Sequence, residues 1–196
     1  MISKSQYLKG IQCPKALWLY RKRKDLAPVI SEGRQFIFDM GHEVGELAQQ
    51  YFGDGIEITE PYYKIKQAIQ STDKAVRQGV DLIFEATACS DIGAYSRIDI
   101  LKKVARSDTW DLIEVKSSTG IKDYHIDDMA LQRHAFSGAG YRIRKSILMH
   151  MNNRYVRSGK LDLQSLFNLE DCTDVVEDKL AEVGSIVGGL IKVINS

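Results

Sequence analysis

Three ionisable residues on two neighbouring stretches of alternating apolar side chains could do chemistry together. Asp99 lies in the stretch from Tyr95 to Val104, and Glu114 and Lys116 lie in the stretch from Trp110 to Lys116. Successive side chains of a β-strand point to opposite faces, so Glu114 and Lys116 share a face. The spacing therefore predicts two carboxylates with an ammonium group beside them.

The segment that joins the two predicted strands has the composition of a turn. If the chain turns between Arg106 and Ser107, Asp99 faces Glu114 directly, with Cβ atoms ~4.5–5.5 Å apart. Two carboxylates this close repel each other unless a cation lies between them, and Mg²⁺ often takes one or two carboxylates together with water. The pattern allows a divalent metal site with Lys116 near a phosphate or the attacking water, although alternating charges on a strand usually form its solvated face.

The period of the apolar residues predicts the elements that must position this site. Most of the helices come before the strands, and the order predicts one mixed or antiparallel-containing sheet with helices packed on it. No internal boundary appears, so residues 1–196 are expected to form a single domain. The predicted helices are 4–23 (interrupted at Cys13-Pro14), 32–52, 64–78, 123–136 and 174–194, and the predicted strands are 55–60, 80–89, 95–104, 110–116 and 143–151, with Arg154–Val156 as a further ladder.

The composition is that of an ordinary globular protein, with 44% hydrophobic and 27% charged residues and a formal net charge of +1. Overall charge therefore cannot carry nucleic-acid binding, which would need local basic clusters such as 21–24, 102–106 and 142–145. The chain has no apolar run of membrane-spanning length, and its first residues are not expected to act as a secretory signal because they lack an apolar stretch. Its three cysteines are odd in number and dispersed, which predicts a reducing cytoplasm and neither a disulfide framework nor a structural zinc site.

Several segments, in order along residues 3–175, resemble the RecB-like branch of the PD-(D/E)XK nuclease superfamily. The core of the resemblance is Arg97–Asp99 followed by LIEVKSST, which contains Glu114 and Lys116. The other matching segments are Cys13-Pro14 with Trp18, Gly41–Gly45 around His42, Gln132 with Phe136 where the branch usually has Tyr, and 152–157. The relatives that these segments resemble are CRISPR-associated RecB-like exonucleases and an uncharacterised bacterial subgroup.

The resemblance implies a restriction-endonuclease-like α/β fold, in which helices flank a central mixed sheet. It implies a deoxyribonuclease that hydrolyses phosphodiester bonds with Mg²⁺ or Mn²⁺, in DNA repair, recombination or defence. The metal would be held by His42, Asp99, Glu114 and the backbone carbonyl of Val115. Lys116 would orient or activate the attacking water. Gln132 would position the substrate phosphate or the scissile strand.

The resemblance also implies single- or double-stranded DNA as the partner, without a membrane. Relatives in the uncharacterised subgroup are often longer, so the chain is expected to be a whole domain or the N-terminal part of a longer protein, with a downstream domain or a helicase or nuclease partner. Some relatives hold an iron–sulfur cluster with four cysteines. Cys13 matches the first, but only Cys172 lies late in this chain, so no cluster is predicted. Two alternatives remain: a catalytically inactive nucleic-acid-binding domain with this fold, and a structural interaction module that binds no metal.

The supporting residues also have simpler interpretations. His42 falls off the apolar stripe that runs from Phe36 to Tyr51, so it is either an exposed histidine or a metal ligand. Gln132 is either a substrate contact or an exposed amide, and Phe136 is a candidate core residue. Glu85, in an apolar strand, is either an auxiliary carboxylate near the metal or a strand-face charge.

Overall fold

Seven strands form one mixed sheet in the computed structural model, which describes residues 1–196. Six of them follow the order β2-β3-β4-β5-β6-β7, and β1 pairs with β4 beside this path. The pairs β2–β3 and β5–β6 are parallel, and the pairs β3–β4, β4–β5 and β6–β7 are antiparallel. The strands are β1 (Ile2–Ser3), β2 (Ile56–Glu57), β3 (Leu82–Cys89), β4 (Ala94–Lys103), β5 (Thr109–Lys116), β6 (Arg142–Met151) and β7 (Phe167–Asp171).

Helices cover the sheet, which confirms the predicted architecture of a central mixed sheet with flanking helices. The predicted first helix is split at Cys13, and Pro14 begins its second half, a position where the missing amide of proline costs nothing. The helices are α1 (Lys4–Gln12), α2 (Pro14–Lys22), α3 (Glu32–Phe52), α4 (Ile65–Arg77), α5 (Asp123–Gly138), α6 (Leu163–Leu166) and α7 (Thr173–Asn195), with a short 3₁₀ turn at Lys24–Leu26.

The predicted ladder at Arg154–Val156 is wrong. The amide of Tyr155 donates to the carbonyl of Asn152, and the amide of Arg154 donates to the Asn152 side chain, so the chain turns here. Such a turn uses the asparagine side chain in place of a strand partner. The strand beside β6 is β7 instead, which the sequence did not predict.

The predicted register of the β4–β5 hairpin is confirmed. Ile100 pairs with Ile113 and Leu101 pairs with Leu112, which is the register that sets Asp99 opposite Glu114. Arg106 has a φ of 57° in the connecting turn, a left-handed conformation that tight turns require.

The two faces of the sheet carry separate apolar cores. Leu112 packs in a cluster with Phe136 of α5, whereas Ile113 packs in a cluster with Val44 of α3. Because side chains alternate along β5, Glu114 points to the same face as Leu112. The carboxylate of Glu114 therefore faces α5 and not α3.

Only the C-terminal half of α3 packs on the sheet. Val44 is buried, whereas Phe36 and Met40 are 63% and 42% exposed, so the predicted apolar stripe is only partly correct. All residues from 21 to 43 are exposed. No helix of the protein combines the length and apolar character that crossing a bilayer requires.

The N-terminal segment is held between the sheet and α7. Ile2 is fully buried and pairs with Ala94 of β4. In α1, a Cβ atom on Gly10 would lie 2.6 Å from the Leu190 side chain of α7, so the two helices approach too closely for a larger residue without rearrangement. This packing fixes the start of α1 at the sheet.

Candidate active site

Two residues of β5 and two of α5 form a closed ring of hydrogen bonds. Lys116 Nζ donates to Glu114 and, at 2.8 Å, to Oδ2 of Asp128. Gln132 Nε2 donates to the other oxygen of Asp128 at 3.1 Å and to Oε2 of Glu114 at 2.7 Å. Asp128 and Gln132 are four residues apart and so lie on one face of the helix. The ring fixes the orientation of both carboxylates and of the lysine.

The ring is buried. Glu114 and Asp128 are each 1% exposed and Gln132 is fully buried, so the interpretation of Glu114 as part of a solvated strand face is wrong. Taking two carboxylates out of water costs several kcal/mol per ion unless cations and hydrogen bonds compensate. Here the ammonium group of Lys116 and the amide of Gln132 supply that compensation.

Asp99 lies outside the ring, where β4 and β5 separate. The ladder ends at the Ile100–Ile113 pair, and the amide of Val115 donates to Oδ2 of Asp99 at 2.6 Å instead of to the backbone of β4. Asp99 is half-buried. Its carboxyl is therefore adjacent to Val115, and it stands across the hairpin from Glu114.

The two carboxyl groups are stabilised very differently. Burial and the negative charge of Glu114 raise the pKa of Asp99 to about 8. Burial would also raise the pKa of Glu114, but the ammonium groups of Lys116 and Lys4 outweigh it and hold that pKa below its ordinary value. Burial lowers the pKa of Lys116, but the Glu114 carboxylate outweighs it, so the net shift is upward and Lys116 stays protonated.

A second lysine, which the sequence gave no reason to select, reaches the same carboxylates. Lys4, the first residue of α1, places its Nζ 2.8 Å from Oε1 of Glu114 and 3.7 Å from Oδ2 of Asp128. It is separated from Glu114 by 110 positions in the chain. No local periodicity or spacing connects residues so far apart.

Glu85 stands opposite Asp99 on the other side of β4. The pairs Phe84–Ile100 and Ala86–Ile98 flank it, but Glu85 and Asp99 do not pair, and Glu85 has a φ of 56°. Its carboxylate lies 4.0 Å from the guanidinium of Arg97, and burial raises its pKa. Glu85 is therefore neither a regular strand residue nor fully solvated.

The structure does not bring His42 to the acidic pair. His42 is exposed in the half of α3 that lacks packing, and α3 covers the face of the sheet opposite to Glu114. No group of three or more histidine, cysteine, aspartate or glutamate side chains is arranged to hold a metal ion. The sequence resemblance could not reveal this, because the face on which α3 packs is a tertiary property.

Gln132 is in the site, but it has no access to a substrate. It is fully buried, its amide nitrogen is used by Glu114 and Asp128, and its Oε1 has no hydrogen-bond partner. The alternative of an exposed amide is wrong. Phe136 is a core residue, as one interpretation of the sequence had it. Asp128 is a site residue that the sequence analysis did not select, although its i, i+4 relation to Gln132 is visible in the sequence.

Comparison with known proteins finds solved structures that are distantly similar to this chain. No protein-family model matches the chain, and no curated protein matches it. The protein SSO0001 is 12% identical, with a TM-score of 0.49, over 100% of this chain and 76% of its own. An alkaline exonuclease from Laribacter hongkongensis is 13% identical, with a TM-score of 0.39, over 99% of this chain and 89% of its own. At these values the likeness identifies neither a family nor an activity.

Proposed function

We propose that the protein is a metal-dependent nuclease of the PD-(D/E)XK type that hydrolyses phosphodiester bonds of DNA. The observation that supports this most directly is the arrangement of Asp99, Glu114 and Lys116. The hairpin sets the two carboxyls opposite each other, and a protonated lysine lies beside Glu114. The segments that resemble the RecB-like branch contain these same residues.

The donor set fits a small divalent cation. Asp99 and Glu114 offer hard oxygen atoms, and Val115 lies next to Asp99 through its amide. Mg²⁺ usually keeps several water ligands and needs only one or two carboxylates, so a protein cage of three or more side chains is not required. The raised pKa of Asp99 points the same way, because a cation would stabilise its ionised form.

The residues would hold Mg²⁺ or Mn²⁺ through Asp99, Glu114 and the carbonyl of Val115, without His42. When bound, the metal supplies a lowered pKa for coordinated water and a positive charge at the phosphoryl oxygens. Lys116 has a third N–H beyond the two that it gives to Glu114 and Asp128. A protonated ammonium can donate this hydrogen to a phosphate oxygen or orient the attacking water, but it cannot take a proton.

Gln132 and Asp128 act through their neighbours. Gln132 holds Glu114 and Asp128 in the ring, and Asp128 holds Lys116. Both are positioning residues in this proposal, because neither is accessible to DNA. Preorganised charges of this kind contribute most where water is excluded.

The test is cleavage of end-labelled single- and double-stranded DNA in Mg²⁺ and in Mn²⁺. We expect cleavage that needs a divalent cation and that falls at least about a hundredfold in Lys116→Met, the range found when a group stabilising developing charge is removed. Lys15→Met, which changes an exposed lysine of α2, is the matched control. DNA binding without cleavage in either metal would instead support the inactive binding domain, and the absence of both would support a structural module.

A further inference from the structure

We propose that Lys4 is a positioning residue of this site, which restrains the Glu114 carboxylate and competes with the divalent cation for it. The inference rests on the proposed function, since it concerns the same carboxylates. Its basis is the contact of 2.8 Å between Lys4 Nζ and Oε1 of Glu114, an acceptor that is 1% exposed. Ion pairs between two solvated side chains contribute little, but this acceptor is buried.

The backbone around Lys4 is fixed on both sides. Before it, β1 pairs with β4, and Ile2 is fully buried. After it, α1 begins with a capping box, in which Ser3 Oγ accepts from the amide of Gln6 and Gln6 Oε1 accepts from the amide of Ser3. Lys4 therefore extends from a defined point toward the carboxylates and is not a mobile surface lysine.

Counting donors around Glu114 shows why Lys4 matters to a metal. A carboxylate has about four lone-pair sites. Oε1 accepts from Lys4 and Lys116, and Oε2 accepts from Gln132, so three of them are used. While Lys4 stays in contact with Glu114, a cation that bridges Glu114 and Asp99 therefore has one free lone-pair site on Glu114. Lys4 also carries a charge of the same sign as the cation.

Two effects of opposite direction follow from removing the Lys4 ammonium. Divalent cation binding becomes tighter, because a lone pair of Glu114 is released and a like charge is lost. Cleavage becomes slower, because the Glu114 carboxylate loses one of the contacts that fix it. A purely structural lysine would weaken both properties when removed, and a bystander would change neither.

The measurement is a titration of the metal-free protein with Mn²⁺ at one pH and ionic strength. The electron paramagnetic resonance signal of free Mn²⁺ reports how much of the metal is bound. A like charge within ~4–6 Å commonly changes the stability of a charged group by one pKa unit or more. We therefore expect Lys4→Gln and Lys4→Met to bind Mn²⁺ about tenfold more tightly. Lys4→Arg keeps the charge and should stay close to the native affinity, as should Lys15→Met.

DNA cleavage by the same variants supplies the second readout. We expect kcat of Lys4→Gln to fall by about tenfold, the same one-unit scale, with KM for DNA unchanged. Unchanged Mn²⁺ affinity in folded Lys4→Gln overturns the proposal, and so does weaker affinity. Lys4→Gln keeps a hydrogen-bond donor and serves if Lys4→Met does not fold. If the native protein binds Mn²⁺ but does not cleave DNA, the proposed function fails while the affinity comparison still decides the role of Lys4.

Discussion

Ionisation costs much more free energy at Asp99 than at Glu114. Glu114 has the ammonium groups of Lys4 and Lys116 within contact and the amide of Gln132 on its second oxygen. Asp99 accepts from one backbone amide. Asp99 is therefore the carboxylate whose ionised form gains most from a bound cation. Because its pKa is raised, an ionised Asp99 lowers the stability of the metal-free fold.

Asp99→Asn should stabilise the metal-free protein at pH 8 but not at pH 4. The folded pKa of Asp99 is raised from 3.8 to about 8. Below pH 4 the carboxyl is neutral in both states. As the pH rises to 8, the unfolded chain ionises first, so the native protein loses stability that the asparagine variant keeps. We expect a gain of at least about 1 kcal/mol at pH 8, or about 2–4 °C in Tm.

Thermal unfolding in EDTA at both pH values checks this, with Asp54→Asn, at an exposed position, as the control. Asp99→Asn should also abolish divalent cation binding at pH 8. Equal Tm values for native and Asp99→Asn protein at pH 8 would show that ionisation of the Asp99 carboxyl does not destabilise the fold.

Asp128→Asn should slow cleavage without unfolding the protein. The amide keeps the size of the side chain, but it removes the negative charge that holds Lys116 at 2.8 Å. Lys116 would then rest on Glu114 alone, and we expect a loss of about tenfold in kcat, at the lower end of what positioned groups contribute. Asp127→Asn is the matched control, because the neighbouring Asp127 pairs with Lys179 of α7 and not with the site. An equal loss in both variants would assign the effect to helix stability.

Sequence reasoning was most successful where the structure is local. The turn composition and the alternation of side chains predicted the hairpin register correctly, and with it the position of Asp99 opposite Glu114. The exposed half of α3 was missed because apolar periodicity indicates which residues share a face but not whether a partner covers it. Lys4 was missed because its contact with Glu114 depends on how β1 and α1 meet the sheet.

At the scale of the elements, β3 is interrupted where it passes the site. Glu85 adopts a φ of 56° between the regular pairs Phe84–Ile100 and Ala86–Ile98. A residue other than glycine in this conformation costs about 1–2 kcal/mol. The ladder thus separates from Asp99 on the β3 side, as it does on the β5 side at Val115. Both interruptions leave Asp99 without a regular strand partner on either side.

Substitutions at Glu85 should measure this strain. Glu85→Gly relieves the positive φ but adds the entropy cost of a glycine in a strand, about 0.5–1 kcal/mol, so we expect stability unchanged or raised by up to about 1 kcal/mol. Glu85→Val cannot adopt the conformation easily and should lose about 1–3 kcal/mol. Urea unfolding compares the two. Greater stability of the valine variant than of the glycine variant would show that the strand is regular in solution.

At the scale of the whole molecule, a net charge of +1 leaves DNA binding to local clusters. The cluster at 142–145 is neutralised, because Arg142 pairs with Asp108, Arg144 with Asp111, and Lys145 with Asp171. The cluster at the end of α2 is different. Arg23 pairs with Asp25, but its neighbours Arg21, Lys22 and Lys24 are exposed and form no ion pair.

The triple variant Arg21→Ala/Lys22→Ala/Lys24→Ala should bind DNA more weakly and with a smaller dependence on salt. Each phosphate contact that is lost removes about 0.7–0.9 from the slope of log K against log salt concentration, so the slope should fall by about 2–3. Fluorescence anisotropy of labelled DNA in EDTA, from low to physiological salt, measures it without cleavage.

The matched control is Arg142→Ala/Arg144→Ala/Lys145→Ala, which removes the same number of cations from a surface where carboxylates already balance them. Its slope should stay close to the native value, because charges that are paired within the protein release few counterions from DNA. Equal slopes in the two triple variants would place the DNA elsewhere on the protein. A reduced slope in the α2 variant alone would place the DNA backbone at the end of α2. This helix directly follows α1, whose first residue, Lys4, contacts Glu114 in the candidate active site.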